Sequence, residues 1–300
     1  MNKIDDAVIL AGGRGTRMLP ASLYMPKETM PLVDTPIINH LVWEAMRAGV
    51  SRIHLVLSEW KLDILEGFIS GEYAITDGVR SELPRISLRL GAEAVELIPH
   101  VQKSSLGVAD AISCALSDIE GPFLVLLGDN LVMDGHPSPI QSGVGHASTA
   151  SLKLVESFQE TGLATVGVIK MDEKELSKYG VVDINGSSIT KIVEKPAFED
   201  APSEYILCGR YLFPETTKKA LERYPVKEYG EYQSIKLLNH FMQNEGLSVV
   251  KYEGFMIFDS GDPVVWLKSQ VAHALARTDL SESFGKWLRD MLDSASSEYQ

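Results

Sequence analysis

Cysteine is nearly absent from this chain: 300 residues include only Cys114 and Cys208, each in an apolar stretch. Two such residues build neither a disulfide framework nor a thiolate metal site. Positive charge is also scarce. The 28 Lys and Arg are outnumbered by 41 Asp and Glu, a net −13 at pH 7. That excludes a general binder of nucleic acid or of anionic membrane, since either needs a basic face. No apolar run approaches the ~20 residues of a membrane span. The opening MNKIDDAVIL has Asp5 and Asp6 where a signal peptide needs basic residues and then a long apolar core. The expectation is a cytoplasmic protein. Internal repeats and low-complexity segments are missing as well. The seven histidines show no H-E-x-x-H or other ligand spacing. His54 falls in a strand pattern and His40 and His273 in helical ones, so packing or surface roles are expected and a zinc enzyme is not.

What is present is an ordinary globular composition, 45% hydrophobic and 23% charged, in a chain long enough to bury a large core. In the first half, AVIL (7–10), RIHLVL (52–57), ISLRL (86–90) and FLVLL (123–127) read as buried strands. Between the first two, Ile37, Ile38, Leu41, Val42, Ala45 and Met46 form a helical stripe, with Pro36 at its start and Gly49 at its end. A second helical pattern over 106–119 leads into FLVLL. Such alternation predicts an α/β fold with a mostly parallel sheet covered on both faces. The second half is richer in β. ASLKLV (150–155), ATVGVI (164–169), GVVDI (180–184), SITKIVE (188–194) and YILCGRYLF (205–213) read as strands, with at least one more in 246–259. INGSSI (184–189) carries a hairpin signal. Helices are expected near 214–223, 231–243 and 263–277. In the tail, Phe284, Trp287, Leu288 and Met291 share one face, expected to dock on the body.

The segment after the first strand, AGGRGTRMLPASLYMPKE (11–28), concentrates glycine and positive charge. The dinucleotide fingerprint G-x-G-x-x-G fails there, because the sixth position from Gly13 is Met18 and the third from Gly12 is Arg14. No Gly-Lys-Ser/Thr follows, so a Walker loop fails too. Gly12, Gly13 and Gly15 can still turn backbone N–H groups toward an anion, Thr16 adds a hydroxyl, and Arg17 can clamp phosphate oxygens with its planar fork. Taken alone, the glycines are equally compatible with a plain turn.

LAGGRGTRM followed by MPKETMPLVDTPII closely resembles the N-terminal signature of sugar-1-phosphate nucleotidyltransferases. Within that superfamily the chain is similar to the bacterial and archaeal glucose-1-phosphate uridylyltransferases. The resemblance runs from about residue 7 to about 275 and includes QKSSLGVADAI (102–112), LLGDN (126–130), YGVVD (179–183), VEKP (193–196), CGRYLF (208–213) and FDSGD (258–262). It implies a Rossmann-like three-layer fold with residues 1–280 as one nucleotidyltransferase domain. The N-terminal half of that domain would bind nucleotide, 150–260 would form an embedded sugar-phosphate lobe, and 281–300 would be a helical tail.

In that reaction a sugar 1-phosphate oxygen attacks the α-phosphorus of a nucleoside triphosphate, and pyrophosphate leaves. With a second pKa near ~6 the nucleophile is already ionised, so no strong base is needed. The obstacle is repulsion between polyanions, about 4 kcal/mol for each pair of unit charges ~4 Å apart at an effective dielectric near ~20. Cations and oriented N–H groups must supply the catalysis. The resemblance assigns Arg17 and Lys27 to the triphosphate, Lys195 to the sugar phosphate, and Glu194, Asn130 and Gly180 to the sugar. It assigns Asp129 and Asp259 to Mg²⁺, a cation that takes one or two carboxylates and leaves other positions to phosphate and water. It assigns the base to backbone near Ala11 and Gly12, to Gln102 and to Gly107, with Glu28 accepting from the ring N–H or supporting the loop. UTP and glucose 1-phosphate are the implied partners, and a homo-oligomer is the implied assembly.

Two departures matter. Asn130 stands where the uridylyltransferases often have a second aspartate, and the Asp-Asn form is familiar from thymidylyltransferases. GEYQSIKLL (230–238) keeps Glu231 and Gln233 but lacks a later acidic residue. The alternatives are therefore dTTP in place of UTP, another hexose 1-phosphate, or a non-catalytic nucleotide-sugar sensor.

Overall fold

A computed structural model describes residues 3–70, 95–104, 106–139, 141, 143–223 and 234–298. The expected strand at 86–90, and Glu231 and Gln233, lie outside the described residues. Strand β1 (Asp6–Ala11) is followed by a long loop and the two-residue pair β2 (Pro31–Leu32) and β3 (Thr35–Pro36). Helix α1 (Ile37–Arg47) then buries the expected stripe, and Gly49 follows its end at φ 95°. Next come β4 (Arg52–Leu57), α2 (Leu62–Ser70), β5 (Glu96–Val101), α3 (Val108–Ala115), β6 (Phe123–Leu127) and β7 (Asn130–Met133).

The segment at 150–155 corrects the sequence reading. It opens helix α4 (Ala150–Thr161), not a strand. Six residues of ASLKLV read as an apolar run, but over twelve the buried positions Ala150, Ser151, Leu154, Val155 and Phe158 follow the helical period. Gly162, left-handed at φ 69°, ends it.

The remaining elements follow the sequence pattern closely. They are β8 (Ala164–Lys170), β9 (Gly180–Asn185), β10 (Ser188–Glu194), β11 (Tyr205–Phe213), α5 (Thr217–Glu222), α6 (Ser234–Asn244), β12 (Leu247–Lys251), β13 (Met256–Asp259), α7 (Pro263–Ala276) and α8 (Ser281–Glu298). Among the described residues nine strands form one sheet in the order β5-β4-β1-β6-β11-β8-β12-β10-β9. β11 and β10 run against the rest, so the sheet is mostly parallel. Alternate residues of each strand feed opposite cores. Ile9, Leu55 and Leu124 pack with Leu41, Val42 and Leu154, while Val8, Val56 and Val125 pack with Ile112, Leu237 and Phe241. Helices therefore cover both faces in three layers, which is why the strands are apolar throughout.

A buried ion pair ties these layers together. Arg210 on β11 donates from Nε and Nη2 to the Glu44 carboxylate on α1, at 2.8 and 3.0 Å. Ser151 on α4 adds a 2.6 Å bond to Glu44 Oε1. Desolvating such a pair is costly, but removing one partner costs far more.

Helix α7 starts as its sequence dictates: Asp262 caps Val264 N at 2.9 Å and Pro263 occupies the first turn. Its Gln270 and Arg277 clamp the β2–β3 turn, through Val33 N, Pro31 O and the Asp34 carboxylate. Helix α8 packs on α7, but its apolar stripe only half docks. Phe284 and Leu288 are partly buried, whereas Trp287 is 55% and Met291 43% exposed. No helix among the described residues is long and apolar enough to cross a membrane.

Candidate active site

The C-terminal ends of the neighbouring interior strands β1 and β6, and the loops that follow them, meet at the carboxyl end of the sheet, the place where open α/β sheets gather ligand-binding loops. Asp129 follows β6 after Gly128. Asp259 ends β13, which pairs antiparallel with β7 so that Asp259 stands opposite Asn130. That register, with Ser260 N bonded to Asp129 O at 3.0 Å, brings the two distant aspartates side by side. Gly261 sits between them and the loop. A Cβ built on it would lie 2.9 Å from Asp259 Oδ1, 3.5 Å from Arg17 Nη2 and 3.7 Å from Asp129 Oδ2.

Lys27 forms an ion pair with Asp129 Oδ2, and its ammonium would be 3.5 Å from a Cβ on Gly13. Burial works against the Lys27 charge, but the Asp129 and Glu28 carboxylates outweigh it and raise its pKa above the usual lysine value. Asp129 is held below the usual carboxylate value: burial opposes this, and Lys27 prevails. Asp259 is raised, first by burial and then by repulsion from Asp129. Two hard carboxylates side by side fit a small divalent cation that completes its shell from phosphate and water. No cluster of three His, Cys, Asp or Glu suited to a metal occurs among the described residues.

A cavity of about 710 Å³ opens from this point. Arg17, Asp129, Asn130 and Asp259 line one part of its wall, Gly180, Glu194 and Lys195 another, and Gly107 borders it as well. Asn130 is nearly buried, donates from Nδ2 to Cys208 O at 3.2 Å, and leaves Oδ1 without a partner among the described residues. Lys195 adopts φ 44° before Pro196, a conformation unusual for a side chain other than glycine's. Its N–H bonds Tyr179 O at 3.0 Å, which pins the turn and aims the lysine from the end of β10. Gly209 of CGRYLF lies at φ 73° in a bulge of β11, where a Cβ would come within 2.7 Å of Leu127. Glycine is required there.

Ala11, Gly12, Gly13, Gly15, Thr16, Lys27, Glu28 and Gln102 do not line this cavity. They form an adjoining end. Gly15 O accepts from Ser22 Oγ at 2.8 Å, Thr16 starts a short 3-10 turn, and Gln102 lies over Gly12.

Lys61 holds this end together, a residue to which sequence reading gave no role. It is 1% exposed, and its Nζ donates to Ala11 O, to Gly13 O at 2.8 Å and to Glu28 Oε2 at 2.8 Å. Three acceptors match the three N–H bonds of an ammonium, so the geometry fits the ionised pair. Burial pulls Glu28 up and Lys61 down from their ordinary values, against the attraction of each for the other. Glu28 Oε1 is buried without a partner among the described residues, leaving an acceptor free. In the sequence SEWK, Lys61 has the look of a solvated charge, and no local signal marks it. Lys178, Tyr179 and Lys268 also border the cavity without having been singled out.

The model of the family described as "Nucleotidyl transferase" matches residues 6–261. The chain belongs to the nucleotidyl transferase family. It is 30% identical over 299 residues to UTP–glucose-1-phosphate uridylyltransferase 1 of Staphylococcus saprophyticus, covering 96% of this chain and 99% of that one. A UDP-glucose pyrophosphorylase from Acinetobacter baumannii superposes with a TM-score of 0.77 at 26% identity, covering 96% of this chain and 100% of the other. A UDP-glucose pyrophosphorylase solved in complex with UDP-glucose superposes with a TM-score of 0.76 at 26% identity, covering 90% and 98%. The fold of this nucleotidyl transferase and the family resemblance read from its motifs are thereby borne out.

Proposed function

We propose that this chain transfers a uridylyl group from UTP to glucose 1-phosphate, giving UDP-glucose and pyrophosphate. The observation that carries the reading is one cavity with Arg17, Asp129 and Asp259 on one part of its wall and Glu194 and Lys195 on another. A glycine-rich loop braced by Lys61 adjoins it. Relatives of this name that match nearly end to end support the choice of substrates.

In this reading Arg17 and Lys27 neutralise the triphosphate, and Lys195 draws the sugar phosphate against the α-phosphorus. Glu194 and Asn130, which line the cavity, are the residues we assign to the sugar hydroxyls. Asp129 and Asp259 would hold Mg²⁺, which when bound supplies positive charge between phosphate oxygens. The gain comes from positioning and from charge already in place before reaction, with no proton abstracted from the nucleophile. We take the enzyme to act in the cytoplasm as a homo-oligomer. Two unpaired cysteines support the first reading, and the exposed Trp287, Met291 and Leu292 of α8 support the second.

The test offers purified protein UTP, dTTP, CTP, ATP and GTP against a panel of sugar 1-phosphates, with and without Mg²⁺, and follows pyrophosphate. UTP with glucose 1-phosphate should lead, and Mg²⁺ should be required. Turnover with no pair would leave a nucleotide-sugar sensor as the reading.

A further inference from the structure

We infer that Asp110 is a positioning residue that sets which bases the site accepts, by locking the Gln102 amide with its oxygen toward the glycine loop. This rests on the nucleotidyl-transfer reading and deepens it. Gln102 follows β5, its backbone fixed by a 2.8 Å bond from its N–H to Leu57 O. Its Nε2 donates to Asp110 Oδ2 at 2.7 Å and to Gly107 O at 3.3 Å. A carboxylate and a carbonyl can only accept, so the amide must turn its nitrogen to them. Flipping it would press an oxygen against two acceptors. Asp110 lies in the first turn of α3, where the helix N-terminus favours a carboxylate.

Oε1 is thereby obliged to face the other way. A Cβ on Gly12 would be 2.5 Å from it, so the loop passes directly beneath and only glycine permits the approach. An acceptor there calls for a ring N–H. Uracil and thymine carry one at N3, whereas cytosine and adenine present a lone pair at the corresponding ring position. The orientation that Asp110 enforces therefore selects UTP over CTP. The glycine loop makes room for the base, Gln102 meets it, and Asp110 decides which face Gln102 shows.

The test compares wild type, D110A and D110N in two ways. Calorimetric binding of UTP and of CTP is measured without sugar phosphate, and kcat/KM for each nucleotide is measured with glucose 1-phosphate. Wild type should prefer UTP. In D110A the UTP-to-CTP ratio should fall at least about tenfold, the effect of no longer enforcing one hydrogen bond's direction. KM for UTP should rise while KM for glucose 1-phosphate holds. D110N, which keeps the shape but can present a donor or an acceptor, should fall between. A ratio within about twofold of wild type in D110A, less than ~0.5 kcal/mol, overturns the role. So does a wild type that binds both nucleotides equally. Because binding is read without the sugar, a protein that selects UTP through Asp110 yet transfers nothing would sink the proposed reaction and leave this inference standing.

Discussion

Replacing Lys61 by Met tests the brace beneath the glycine loop. The substitution keeps most of the aliphatic volume and removes the ammonium. Two carbonyls, Ala11 O and Gly13 O, lose their donor, and the carboxylate of Glu28, 0% exposed, loses its countercharge. Breaking a buried pair from one side costs about 3–5 kcal/mol. With an unfolding entropy of roughly 0.6 kcal/mol/K for a chain of this size, that is a drop in Tm of about 5–8 °C.

The loss should depend on pH, with a sign fixed by Glu28. Its pKa is already raised by burial, and without Lys61 it rises further. A carboxyl with a folded pKa above its unfolded one favours folding below the unfolded value and loses that contribution as pH rises through the folded one. The deficit of K61M should therefore be largest at neutral pH and shrink toward pH ~4.5. K61M/E28Q should recover much of the stability at pH 7, since no buried charge is left alone. Calorimetric melting across pH 4.5–8 reads all of this. A deficit under ~1 kcal/mol, or one flat in pH, would refute the buried ionic brace.

D129N and D259N should each lower kcat by about 10²–10³ or more, while D259N melts no lower than wild type because it removes the burial of charge, and the repulsion from Asp129, that raise Asp259. Near-normal Mg²⁺-dependent rates in both would remove the metal assignment. K195A should depress kcat by about 10²-fold with UTP binding, read calorimetrically, little changed; the reverse pattern would mean its role is misassigned. His40, pushed down to about 4 chiefly by burial, and His273, pushed down to about 3 chiefly by burial, are depressed bases. Their contribution to stability is present above ~6.5 and lost as pH falls below it, about 2 kcal/mol each by pH 5. Urea unfolding at pH 7 and 5 should show that loss, and H40Q/H273Q should flatten it.

Most of the long strands and most helices were legible because burial on both faces writes continuous apolar runs, and amphipathic helices write a 3.6-residue stripe; β5, with Pro99 and His100 in its run, and α2 were not read. ASLKLV misled because six residues are too few to separate those periods. Strand β7 was missed because its four residues come immediately after Gly128 and Asp129, which have the composition of a turn. The tail stripe was visible, but how much of it docks depends on α7, which sequence spacing does not place.

At the site, Arg17, Lys27, Asp129, Lys195 and Asp259 were marked by the ordered set of motifs that carries the family resemblance; taken alone, VEKP, GDN and DSGD have the composition of an ordinary strand end and ordinary turns. Lys61 and Asp110 were not marked. A lone lysine after a strand and an aspartate in a first helical turn are ordinary as sequence, and both act through partners that are close only in the fold.

What the sequence determined by itself was the local repertoire: apolar periods for strands and helices, glycines where backbone must bend, and a charge pattern suited to phosphates. What only the tertiary structure decided was which of these meet. The antiparallel register of β7 and β13 sets Asp259 opposite Asn130, and the crossing of the chain after β4 buries Lys61 under the loop. Such contacts join residues far apart along the chain, and their energy depends on desolvation and geometry that no local pattern encodes.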